Sequence, residues 1–209
     1  MNDSNFHTDL LNEKILASYL DDIYARHWHN TKYELERITD LDLQNKGVDL
    51  VLKGRSSRFY VDEKAQLDYL NRSLPTFAFE ISYLKNASWR TGWLFDKNKL
   101  TQIYFLITGI HVNGDNLNKG IKSAQITGVY RKRLWHFLQS VGLGREKINA
   151  MEKSIRNNTG HGKIVIPQLD PRTEGYMYYS KENKAEQPIN LVLKLDFLID
   201  KKLARVIYP

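Results

Sequence analysis

Leu10, Leu11, Ile15, Leu16, Tyr19, Leu20 and Ile23 recur at the spacing of one helical face along residues 8–29, behind Thr8 as an N-cap, so this segment is predicted to be a helix. Residues 32–39 alternate imperfectly, Tyr33, Leu35 and Arg37 against Glu34, Glu36 and Ile38, and read as a strand. Residues 40–47 are a polar connection. Two runs rich in Val, Leu, Phe and Tyr follow, 47–52 and 59–66, joined by Lys53-Gly54-Arg55-Ser56-Ser57-Arg58, which reads as a hairpin turn. After a turn at 68–73, strands are predicted at 76–83 and 100–108. Helices are predicted at 130–141, ended by Gly142 and Gly144, and at 145–157. The remainder breaks into short β-like pieces at 162–169, 175–180, 189–199 and 204–208. That order indicates an α/β or α+β sandwich with a C-terminal β-rich extension. The division expected is a core over 1–110 and a basic helical and β-rich segment over 111–209, packed as one unit.

The chain of 209 residues is 42% hydrophobic and 26% charged, which suits a folded protein with a sizeable core and excludes general disorder. It has no cysteine, so disulfides and thiolate metal sites are excluded. No run approaches the roughly 18 apolar residues of a membrane span, and the first residues lack the basic and apolar regions of a signal peptide. No membrane partner and a cytoplasmic location are therefore expected. The net charge of +7 is uneven: residues 97–163 hold 12 Lys and Arg against 3 acids. A surface that meets a polyanion has this character, and so does an ordinary solvated basic face.

Two carboxylates and a lysine fall on the predicted hairpin. In an extended segment alternate side chains share a face, so Asp62, Lys64 and Gln66 point one way and Val61, Glu63 and Ala65 the other. Charges in the middle of apolar strands are costly unless paired, and a divalent cation is one natural partner for carboxylate oxygens. Hydrolysis of a phosphodiester needs an activated water and charge stabilisation on the phosphate, which a carboxylate-held Mg²⁺ and a neighbouring lysine together supply.

Asp49, twelve intervening residues and then Asp62-Glu63-Lys64 resembles the signature of the PD-(D/E)xK nuclease superfamily, the restriction-endonuclease-like fold with its mixed sheet flanked by helices, over about residues 8–110. Val48 stands where the family carries proline. The resemblance implies that Asp49 and Asp62 are metal ligands, that the backbone carbonyl of Glu63 is a further ligand, and that Lys64 orients the attacking water and stabilises the phosphate. It gives Gln66 a role in holding substrate or the catalytic network. Glu13 on the first helix and Glu80 on the strand after the hairpin are the two candidates for an additional metal-binding acid. The function implied is a Mg²⁺-dependent endonuclease acting on DNA, with Mn²⁺ as a substitute ion and RNA as an alternative substrate. A homodimer is a further expectation, since two-fold pairing of active sites suits double-strand cutting.

The rival reading in another class is a nucleic-acid-binding or interaction protein that keeps the fold without catalysis. The blander account of the motif is an Asp62–Lys64 ion pair on a solvent face, with Asp49 capping a turn. Trp93, within an aromatic and arginine stretch from Trp89 to Phe95, is a candidate for base stacking, and Arg131, Lys132, Arg133, Arg156 and Lys163 are candidates for phosphate contact. His27 and His29 flank Trp28 but diverge on a helix, so they read as surface histidines. Neither a Walker A loop nor a G-x-G-x-x-G turn is present.

Overall fold

The structure, a computed structural model, describes residues 3–29, 31–158, 160–182 and 184–209. In chain order the elements are α1 (Asp3–Trp28), β1 (Glu34–Arg37), α2 (Leu41–Asn45), β2 (Leu50–Lys53), β3 (Arg58–Ala65), β4 (Thr76–Lys85) and β5 (Ser88–Thr91). Then come β6 (Ile103–Val112), β7 (Ile121–Tyr130), α3 (Arg131–Ser140), α4 (Arg145–Asn158) and β8 (Gly162–Ile164). The chain ends with β9 (Gly175–Tyr179), β10 (Ile189–Lys194), α5 (Leu195–Asp200) and β11 (Ala204–Tyr208). The class is α+β: five α-helices and two open sheets among the described residues. Among those residues no helix is long and apolar enough to cross a membrane.

The chain divides into two compact units that interleave in sequence, 1–74 with 103–128 and 206–209, and 75–102 with 129–205. β6 runs across the boundary at 110 drawn from the sequence.

The first unit is built on the sheet β1-β2-β3-β6-β7-β11. β1, β2 and β3 pair antiparallel in succession, and β6 joins β3 in parallel, so the sheet is mixed. β6 reads Ile-Tyr-Phe-Leu-Ile-Thr-Gly-Ile-His-Val and all but His111 is buried, as a strand covered on both faces requires. α1 lays Leu20, Ile23 and Tyr24 into the core, with Tyr24 at 6.0 Å and Trp28 at 6.2 Å from the Phe105 ring. Each such fully buried side chain is worth about 1.5–3 kcal/mol. The hairpin turn closes with Gly54 donating to the Ser57 carbonyl at 2.8 Å.

The second unit carries the sheet β5-β4-β10-β9-β8, antiparallel throughout. Phe77, Phe79, Ile81, Met177, Leu191 and Leu193 form its buried face, while the residues between them on β4 and β9 are half-buried or exposed. Arg131 opens α3 in a buried position, its guanidinium donating to the carbonyls of Asp96, Lys99 and Thr101 and lying 4.3 Å from the Trp135 ring centre.

Most predicted elements form, within a few residues of their expected ends. Three differ. The polar connection 40–47 contains the one-turn helix α2, capped by the Asp40 side chain accepting from Leu43 N–H at 2.9 Å. The strand expected over 189–199 stops at Lys194, and residues 195–200 are helical. The strands β5 and β7 were not expected; β7 includes buried Ala124, Thr127 and Val129 in place of an alternating apolar run.

Candidate functional site

The backbone of Asp49 is pinned on both sides: its N–H donates to the Val61 carbonyl at 2.9 Å and its carbonyl accepts from Ile38 N–H at 2.8 Å. What delivers it there is the short helix α2, the turn at Gly47 with φ of 73°, and Val48, fully buried, whose N–H bonds the Leu43 carbonyl. The antiparallel ladder ends on the pair Leu50 and Val61, and at that end the side chains of Asp49 and Asp62 meet. The two carboxyl groups lie within hydrogen-bonding reach of each other.

Asp62 is 1% exposed. Lys64, two residues on and therefore on the same face, pairs its ammonium with Asp62 Oδ1. Asp49 Oδ2 accepts from the backbone N–H of Glu63 at 2.8 Å. Burial pushes the Asp62 carboxyl up to about 6; Lys64 opposes that shift and the neighbouring Asp49 adds to it. A solvent-facing ion pair is therefore ruled out as a description of Asp62.

Glu63 points to the opposite face, where its carboxylate accepts from the Tyr24 hydroxyl at 2.6 Å and from Arg37 at 2.7 Å. Arg37 in turn holds Asp21 through both of its oxygens. Burial, more than any charge, raises the Glu63 carboxyl, and Arg37 and Tyr24 act against it. Burial and the adjacent Glu63 drive the Tyr24 phenol well above its ordinary range. This tetrad, buried at Tyr24 and Glu63 and open to solvent at Asp21, docks α1 onto β1 and β3 and escapes a reading of the sequence, because Tyr24, Arg37 and Glu63 come from three separate elements. Its effect on the site is to clamp β3 from behind.

The structure brings Asp49, Asp62 and Lys64 together. Gln66 is half-buried just past β3, its N–H bonded to the Ile107 carbonyl at 3.0 Å. Glu13 is exposed on α1, the helix that covers the Glu63 face. Glu80 belongs to the second unit, on β4 opposite Asn190, with its backbone tight against Gly92. Among the described residues no three His, Cys, Asp or Glu side chains gather to hold a metal ion. The donor set is thus two carboxylates. That set fits Mg²⁺, which keeps several waters and commonly takes one or two protein carboxylates plus substrate phosphate oxygens. Neighbouring carboxylates repel; Lys64 offsets part of that repulsion at Asp62, and a bound cation would offset more.

The candidate phosphate contacts fare unequally. Arg131 is 6% exposed and consumed by three carbonyls, so it is a structural latch and not a surface contact. Trp93 is half-buried with its ring centre 5.4 Å from that of Phe79, which makes it part of the packing of the second unit. Arg156 lies 3.2 Å over the Trp89 ring and donates to Ser82 at 2.6 Å, and burial lowers its pKa. Lys132, Arg133 and Lys163 are exposed.

Comparison with protein-family models, with curated protein sequences and with solved structures finds no match.

Proposed function

We propose that the chain is a divalent-metal-dependent nuclease of the PD-(D/E)xK type, with a restriction-endonuclease-like core, that hydrolyses DNA phosphodiester bonds. The observation that carries this reading is the buried Asp62 carboxyl, which has the Asp49 carboxyl beside it and the Lys64 ammonium on its Oδ1. Asp49 and Asp62 would hold Mg²⁺, or Mn²⁺ in its place, and the bound ion would supply an activated water and neutralise phosphate charge.

The residues of the chain do the rest. The Glu63 N–H donates to Asp49 and leaves that carboxylate one oxygen to offer. The clamp of Glu63 by Tyr24 and Arg37 holds β3 in register from the far face. Lys64 carries a positive charge beside Asp62, where it offsets the charge that develops on the phosphate and orients the attacking water.

Supercoiled plasmid, a single-stranded oligonucleotide and a structured RNA, each incubated with Mg²⁺ and with EDTA, test the proposal. Cleavage is expected with Mg²⁺ alone, and Asp62→Ala and Lys64→Ala are each expected to lower the rate at least 100-fold, as loss of a charge-stabilising group does. Wild-type rates in both variants would contradict the site. An intact plasmid with both Mg²⁺ and Mn²⁺, beside cleaved RNA, would move the activity to RNA.

A further inference from the structure

We propose that the half-exposed face of the second unit's sheet, opposite its buried face, is a stacking platform for unpaired nucleic-acid strands. On β9 the burial alternates: Gly175, Met177 and Tyr179 are inside, while Tyr176 and Tyr178 are half-exposed on the other face. The registers set Lys163 on β8 and Asn190 on β10 directly across from Tyr178. Cross-strand neighbours share a face, so these side chains form one row, which Glu80 ends on β4.

The two rings are preorganised. His161 Nε2 lies 3.1 Å from the Tyr178 hydroxyl, with its ring edge-on at 5.6 Å between centroids, and the Lys163 ammonium sits 4.2 Å over the Tyr176 ring. Alternate residues on a strand are about 6.8 Å apart, twice the spacing of about 3.4 Å between neighbouring bases in one duplex strand. Tyr176 and Tyr178 therefore match bases spread along an extended strand and not the close stack of a helix. Stacking of this kind tolerates any sequence, since every base has a flat face.

Charge supplies the second argument. The unit that carries the platform holds 19 Lys and Arg against 10 Asp and Glu, whereas the unit with Asp49 and Asp62 holds 12 against 14. The unit that carries the aromatic row is thus the one with the excess of positive charge, which attracts phosphate. The inference deepens the nuclease reading and rests on it for the sense of the ligand: the substrate class becomes DNA with unpaired segments.

Fluorescence anisotropy of the full chain in EDTA, with labelled twenty-nucleotide oligothymidine and a duplex of about the same length at one salt concentration, decides the matter. The single strand is expected to bind at least about tenfold more tightly than the duplex, Tyr176→Ala and Tyr178→Ala each to weaken it about tenfold, and the Phe variants to retain it. Alanine variants that melt like wild type and bind like wild type would overturn the platform, as would equal affinity for the duplex. Should the alanine variants not fold, Lys163→Glu at its exposed position replaces them, and unchanged affinity there overturns the proposal equally. Tyrosine-dependent binding beside an uncut plasmid would remove the nuclease reading and leave the platform standing.

Discussion

At the scale of single residues, the account turns on Asp62. Its carboxyl titrates near 6 in the folded chain because burial and Asp49 disfavour its charge, against an ordinary value of about 3.9. Between those two values the native state binds more protons than the unfolded chain, so stability is gained as pH falls through that window and lost as pH rises through 6. Asp62→Asn removes the titration. In the absence of metal it is expected to raise the melting temperature at pH 8 by a few degrees and to do little at pH 4.5, by thermal denaturation followed with circular dichroism. A lower melting temperature at pH 8 would contradict the strained pair. Metal has the opposite pH sense, because its ligands must be ionised. Cleavage is therefore expected to climb through pH 6, and a rate independent of pH from 5 to 8 would dissociate it from Asp62.

At the scale of elements, the clamp behind the site is the feature with the largest energetic stake. Arg37→Ala would leave the carboxylate of Glu63, 12% exposed, with only the Tyr24 hydroxyl, and breaking such a pair, its arginine 26% exposed, is expected to cost about 2–3 kcal/mol, below the full cost of a buried pair. Urea unfolding should register a loss of that size, and a loss below about 1 kcal/mol would mean the tetrad does not anchor α1. The hairpin that carries the acids was legible in the sequence, because Gly54 and Ser57 mark its turn and Leu50, Leu52, Phe59 and Val61 mark its strands. The parity that places Asp62 and Lys64 on one face was legible too. β7 was not: Gly128 lies where a Cβ would meet Ile207 at 3.0 Å, so close packing there selects small residues and erases the alternation that marks a strand. Residues 195–199 look like a continued strand because Leu195, Asp196 and Phe197 alternate, yet the chain turns helical once Lys194 has made its last sheet bond. Arg131 shows the limit for charge, since a basic run carries no sign that its first member serves three carbonyls inside the fold.

At the scale of the whole molecule, the two units are discontinuous along the chain, which no compositional boundary announces. The first needs residues 103–128 to complete its sheet. A fragment ending at residue 110 loses β7 and the end of β6, and circular dichroism is expected to find it unfolded; a cooperative melt like that of the full chain would contradict the division. Charge divides along the same line, and the basic excess read from residues 97–163 belongs for the most part to the second unit. Affinity for nucleic acid should accordingly fall steeply with salt, with a log–log slope near the number of phosphates neutralised. A flat response from 50 to 200 mM would remove those cations from the interface.

The central claim is that the pair formed by Asp49 and Asp62 takes up a divalent cation. A titration with Mn²⁺ followed by electron paramagnetic resonance tests it without reference to any substrate. One bound ion per chain is expected in the wild type at pH 7.5, none in Asp49→Ala or Asp62→Ala, and an unimpaired site in Lys64→Ala. Mn²⁺ uptake that is absent from the wild type, or unaltered by loss of either aspartate, would contradict the account.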